Sequence, residues 1–258
     1  MQAFSIDDSQ TTEIDDALSL QGLGSGTVTL GIHIAAPGLA IQPDDAIDAV
    51  ARHRLSTVYM PGHKITMLPD AVVQSYTLEA GRDCPAVSLY ASFDEATLEL
   101  KDTRTALERV PIAHNLRHDQ LDSVITEAWL TGEAPVGSAS DEIAALQPQL
   151  AFIFRIAKHL KAQREVVRGK PETFNRPDYT FKLQGVTGSE PDGSETVVIG
   201  TRSRGAPLDL MVAEAMILAN STWGQWLAAC GVPGIYRSQA SLAPVSYTHL
   251  TLPTSGLV

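Results

Sequence analysis

The sequence predicts an α+β fold, a mixed β-sheet core packed with helices. β-rich or alternating segments occupy 27–38 and 86–110, while i, i+3, i+4 apolar spacing marks 118–132, 140–170 and 207–231. The strands and helices do not alternate as regular βαβ units, which disfavours a doubly wound sheet. With 258 residues, 44% hydrophobic and 19% charged, the chain can bury a sizeable core.

The elements follow in order. Residues 4–6 and 14–20 are apolar segments around a polar turn. "TVTLGIHIAAPG" (27–38) is nearly continuous and is expected to be a buried strand ending at Pro37-Gly38. "PDDAIDAVARHRLST" (43–57) is expected to be a helix, its acidic start suiting a helix N-terminus. "YMPGHKITMLP" (59–69) is a Pro-punctuated loop or short strand, and "AVSLYASFD" (86–94) alternates as a strand continued over 97–110. Helical patterns follow, with Ser140 as a helix start. A hairpin over 176–186 and 195–203 precedes a long helix over 207–231, stopped by Gly231 and Pro233. No internal repeat or linker stands out.

Composition narrows function. No apolar run nears the ~20 residues of a membrane helix, and the N-terminus lacks a signal-peptide pattern. Cys84 and Cys230 form no metal-spaced pair, so a reducing cytoplasm is expected. The net charge of −11 argues against a general nucleic-acid binder, because phosphate affinity comes largely from Lys and Arg. A local basic channel, or a metal inverting the charge of an acidic pocket, remains open.

"FSIDDSQTTEIDDALSL" (4–20) concentrates Asp7, Asp8, Glu13, Asp15 and Asp16 between apolar residues. Carboxylates packed together raise each other's pKa. One or two Mg²⁺ ions would relieve that repulsion, since this hard cation takes carboxylate oxygens, and such a centre suits phosphodiester cleavage. A solvated loop or a helix cap is the alternative. An EF-hand fits poorly, because the expected Gly and Glu are absent.

The same stretch resembles the active-site signature of the ribonuclease II/R family, the RNB-domain exoribonucleases. The likeness continues in order through "LGIHIAAPG" (30–38), "VARHRLSTVYMPGHKITMLPDAV" (50–72), "FNRPDYTFKL" (174–183), "DLMVAEAMILAN" (209–220) and "GIYRSQ" (234–239). The resemblance implies an incomplete RNB-type catalytic domain over residues 1–243. It implies Mg²⁺-dependent, 3′→5′ hydrolysis of single-stranded RNA to nucleoside 5′-monophosphates.

Asp7, Glu13, Asp15 and Asp16 match the four acidic positions of that centre, Glu13 standing where many relatives have Asp. Asp8 falls outside the four and is expected to be solvated or structural. Tyr59 matches the aromatic position that stacks on bases. Glu214 matches half of an acidic pair at the terminal nucleotide, the other half being Ala213. Arg237 fits a supporting role in RNA binding. Arg52, Arg54, His63 and Lys64 form the best basic patch near Tyr59 in sequence, although Arg52 and Arg54 also suit a solvated helix end. His33, in an apolar strand, is expected to be a satisfied core histidine.

The end of the chain differs in character. "VSYTHLTLPT" (245–254) is what an in-frame transposon-end sequencing adapter encodes, so 244–258 are expected to be a non-native tail. The family's later Thr-Ser-Pro block, with its phosphate-contacting arginine, is not found, and impaired activity is expected. A monomer is favoured. Another Mg²⁺-dependent phosphohydrolase and an inactive RNA-binding relative are the competing readings.

Overall fold

The structure, a computed structural model, describes residues 2–133, 139–171, 178–186, 191–202 and 205–236. Residues Met1–Ala219 form one compact unit and Asn220–Val258 a second.

The first unit is built on a closed five-stranded barrel. Its strands are β1 (Ala3–Asp7), β2 (Asp16–Gln21), β3 (Thr27–Ala35), β6 (Arg82–Asp94) and β7 (Leu100–Arg117), ordered β1-β2-β3-β6-β7. All neighbours are antiparallel except β1 and β7, which close the barrel in parallel with Asp7 opposite Arg117. The α+β reading stands, and the predicted mixed sheet is a barrel without open edges.

Sequence accounts for this closure. Pro85 and Pro111 cannot donate to a ladder. Pairing of β6 with β3 begins beyond Pro85 at Ala86, and pairing of β7 with β1 begins beyond Pro111 at Ile112. Each proline therefore sits where its strand has only one neighbour. Small residues (Ala3, Ala17, Cys84, Ala86) join Ile14, Leu78, Val110 and Ile112 in a buried cluster where the strands approach closely.

His33 is a core histidine, as its strand context predicts. It is fully buried, with Nδ1 at 2.8 Å from Ser88 Oγ and Nε2 at 2.8 Å from Ser19 Oγ. Burial pushes its pKa down to about 4, against the opposing pull of Glu108, so the ring is neutral near pH 7. Gly31 makes this possible. A Cβ there would lie 2.3 Å from Ser19 Oγ and 2.8 Å from His33 Nε2. Gly31→Ala is expected to destabilise the chain by about 1–3 kcal/mol through overpacking, seen as a lower urea midpoint. An unchanged midpoint would show that the Ser19–His33 pair yields freely.

The barrel's two ends differ. Short turns over 22–26 and 95–99 close one end. The other carries the β1–β2 connection, the exit of β7, and a long insertion between β3 and β6. That insertion contains α1 (Ala46–Arg54), β4 (Val58–Met60), β5 (His63–Ile65) and α2 (Asp70–Tyr76). α1 starts on Asp45, whose carboxylate accepts from Asp48 N at 2.7 Å.

The periodic stretch 118–132 divides into α3 (His118–Leu121) and α4 (Glu127–Leu130), because Thr126 caps a new helix by accepting from Trp129 N. α5 (Asp141–Arg168) starts on the predicted Ser140 cap and stops at Gly169, φ 73°. β8 (Asp178–Gln184) and β9 (Thr196–Arg202) form the predicted hairpin, and α6 (Pro207–Ala229) the predicted long helix. Part of the hairpin turn, at 187–190, lies outside the described residues, as does the 244–258 tail. In the second unit, the Tyr236 hydroxyl donates to Gly224 O at 3.2 Å. None of the described helices is long and apolar enough to cross a membrane.

Candidate active site

Barrel topology gathers the acidic turn. β1 and β2 are antiparallel, with Phe4 opposite Leu18, so the end of β1 lies beside the start of β2. Asp7 and Asp16 thus sit at the same barrel end, joined by the 8–15 connection. That connection is pinned. Arg117 Nη1 donates to Asp8 O at 2.9 Å, Ile14 N donates to Thr77 Oγ1 at 2.8 Å, and Ser9 donates to Asp119 through N at 2.9 Å and Oγ at 2.6 Å.

The acids feel one another. Burial, then Asp7 and Asp15, push the Asp16 pKa up to about 7. Burial raises that of Asp7 against a Ser5 hydrogen bond and the charges of Arg117 and His118. Asp15 is exposed as a residue, yet its carboxylate is crowded. Lost hydration, Glu13 and Asp7 all raise it, against Lys64. Asp7 Oδ2 is buried with no hydrogen-bond partner, a costly arrangement for a carboxylate.

Grouping is looser than the sequence suggests. No three of Asp7, Glu13, Asp15 and Asp16 bring ligand oxygens all within 4.8 Å of one another. Glu13 is drawn aside by Lys64, whose Nζ lies 3.1 Å from Oε2. Among the described residues, the threesome that meets this limit is Asp8, His118 and Asp119. Asp119, however, already accepts both Ser9 hydrogen bonds.

A cavity of about 600 Å³ opens beside Asp7, Asp8 and His118, with Lys161 and Arg164 of α5, Arg202 of β9 and Glu214 of α6 in its walls. Carboxylates therefore face cations across one space. Glu214 is buried, and Arg164 Nη2 contacts its Oε1 at 2.5 Å. The family resemblance implies that Glu214 meets a nucleotide; the structure gives its carboxylate first to Arg164, since a buried charge needs a partner. Ala213 lines the same cavity.

Tyr59 is 72% exposed and paired across its hairpin with Lys64. Desolvation, Glu13 and Asp15, with a hydrogen bond to Glu13, raise its pKa, so the ring stands next to the acids. Arg52 is held by Asp44 and Asp48, and Arg54 donates to Thr66 O at 2.7 Å, so both serve the local structure around α1. His63 pairs with Met60 across the hairpin. Arg237 lies outside the described residues.

His118, Lys161, Arg164 and Arg202 are missed by sequence reasoning. One signal was available: Lys161 and Arg164, three apart on a helix, share a face. Arg202 carried none, because its partners Asp122 and Asp209 become neighbours only through the fold.

The RNB domain family model matches residues 1–252. The chain belongs to the RNB domain family. Exoribonuclease 2 of Vibrio vulnificus is 30% identical over 241 residues, covering 93% of this chain and 34% of that protein. An uncharacterized ribonuclease of Synechocystis sp. is 28% identical over 240 residues, covering 93% of this chain and 32% of its own length. The chain thus spans about a third of these curated relatives.

RNB-domain structures share the fold. Mycoplasma genitalium RNase R, solved in complex with double-stranded RNA, superposes with TM-score 0.71 at 20% identity, over 90% of this chain and 38% of that one. An active-site mutant of the Dss1 exoribonuclease from Candida glabrata gives TM-score 0.73 at 21% identity, over 91% and 31%.

The residues present fit a hard divalent cation. The orphaned Asp7 oxygen and the raised Asp15 and Asp16 offer oxygen donors, with Arg117 and His118 acting on Asp7 and Lys64 on Glu13 and Asp15 as the nearby positive charge.

Proposed function

We propose that this chain is the N-terminal and central part of a Mg²⁺-dependent 3′→5′ exoribonuclease domain, hydrolysing single-stranded RNA to nucleoside 5′-monophosphates. The observation that carries the reading is the cavity whose walls hold Asp7, with its buried unpartnered oxygen, together with Lys161, Arg164 and Arg202. Anionic RNA needs cations to hold its phosphates, and the scissile phosphate needs a nearby divalent ion. Family membership, and the Exoribonuclease 2 name of a relative, support the same reaction.

Asp7, Glu13, Asp15 and Asp16 would hold the ion. When bound, Mg²⁺ supplies positive charge to the phosphate and activates water. The remaining roles belong to side chains. Lys161 and Arg202 attract phosphate, and Glu214 orients Arg164. Tyr59 offers a solvent-facing ring to a terminal base, with Arg237 in support. The reading includes a monomer working in the cytoplasm, where free thiols such as Cys84 and Cys230 persist.

The test follows 5′-labelled single-stranded RNA with Mg²⁺ or with EDTA. Stepwise shortening from the 3′ end in Mg²⁺ alone is expected. RNA left intact in both would sink the exonuclease reading and favour a binding-only relative. Tyr59→Ala is expected to weaken binding of short RNA by about 1–3 kcal/mol, the worth of one stacked base. Anisotropy in EDTA measures this without cleavage, and unchanged affinity would remove Tyr59 from the site.

A further inference from the structure

We infer that the β8–β9 hairpin is a second base-stacking surface for single-stranded RNA, with Phe181 as its contact residue. This rests on the RNA reading above and extends it beyond the acidic centre.

The first ground is continuity. A cavity of about 560 Å³ is lined by Phe181, Lys182 and Thr201 together with Asp8 and Arg202. Asp8 and Arg202 also line the cavity that holds Asp7. The two cavities therefore adjoin at Asp8 and Arg202, which places the hairpin next to the acids.

The second ground is the face itself. Strand alternation puts Tyr179 and Phe181 on one side, and the register sets Thr201 and Ile199 opposite them. Tyr179 is 57% exposed, Phe181 49% and Ile199 64%. An apolar face open to water gains from being covered, and a base covers it whatever its identity.

The third ground is rigidity. At Gly62, φ 72°, a Cβ would lie 2.3 Å from Leu183 Cδ1, so the tip of the Tyr59 hairpin seats directly on β8. At the far end of β9, Arg202 is fixed by Asp122 at 3.0 Å and Asp209 at 2.6 Å. The Gly62 contact at one end and the Arg202 ion pairs at the other restrain the β8–β9 hairpin, which lowers the ordering cost of binding.

Two cations, Lys182 and Arg202, line this cavity beside three carboxylates, so RNA is favoured through its bases and a phosphate contact at Lys182 rather than through net charge. The three carboxylates of this cavity are engaged: Asp122 by Arg202, Asp119 by Ser9 and Asp8 by the Gln10 amide. Lys182, exposed on the hairpin, is left to meet a phosphate.

The test measures binding of labelled oligouridines to the full chain in EDTA, using a tetranucleotide and a dodecanucleotide. Phe181→Ala is expected to weaken the dodecanucleotide about 5- to 150-fold, to leave the tetranucleotide unchanged, and to be rescued by Phe181→Trp. Equal binding of the dodecanucleotide by wild type and Phe181→Ala overturns the proposal. If the unaltered chain binds neither oligonucleotide, the RNA reading itself fails and the hairpin proposal falls with it. Photocrosslinking of iodouridine-substituted dodecanucleotide to the unaltered chain avoids any folding defect. Adducts on the peptide carrying Phe181 support the proposal. Adducts confined to the Tyr59 peptide overturn it and leave the hairpin face to a protein partner.

Discussion

On the proposed reading, Asp16→Asn, which removes one of the four carboxylates proposed to hold the ion, is expected to slow RNA shortening by about two to three orders of magnitude, a loss of the size seen when one transition-state-stabilising group is removed. The same change should stabilise the metal-free chain above neutral pH. Burial, then Asp7 and Asp15, lift the Asp16 pKa from 3.8 to about 7. A carboxylate whose folded pKa is raised favours folding below its unfolded pKa. That contribution fades as pH rises through the folded value. The window therefore runs from 3.8 to about 7, and the full shift corresponds to about 4 kcal/mol. Urea melts in EDTA across this window should show wild type losing stability with rising pH and the Asn variant losing less. Mg²⁺ should restore wild type above neutrality and help the variant less. Parallel pH profiles would remove Asp16 from the coupled set.

Arg164→Met should unfold the chain more readily than any exposed change. It strands the buried Glu214 carboxylate, which now contacts Arg164 at 2.5 Å. Breaking one side of a buried ion pair costs about 3–5 kcal/mol, whereas replacing both partners with apolar groups is often neutral. The double variant Arg164→Met, Glu214→Leu should therefore recover most of the loss. Chemical denaturation of the four proteins in this cycle measures the coupling. Additive losses would show that the pair is held by other contacts. RNA binding should stay weak in the double variant, separating the cation's service to phosphate from its service to folding.

Local pattern carried much of this fold. The strands around the acidic turn, the Ser140 cap and the β8–β9 hairpin depend on residues within a few positions of each other, so spacing reveals them. Barrel closure does not. It comes from β1 pairing with β7 in parallel, Ser5 beside Asn115, and no periodicity in either strand encodes a partner 110 residues away. The site divides the same way. Asp7 and Asp16 are legible because one short connection joins them. Lys64 reaches Glu13 across 51 residues, and Arg164 reaches Glu214 across 50. The pull of Lys64 on Glu13 was invisible, and with it the loosened spacing of the four acids. Arg202 was invisible for the same reason, since Asp122 lies 80 residues before it.

The parallel seam between β1 and β7 also sets a timetable. During synthesis β1 leaves the ribosome first, but its closing partner follows 110 residues later. At about 5–20 residues per second, the first strand waits roughly 5–20 s with one edge unpaired. Until Arg117 arrives, the 8–15 connection lacks the grip on Asp8 O that completes its anchoring. A nascent chain shorter than β7 therefore carries the whole acidic signature without its last clamp.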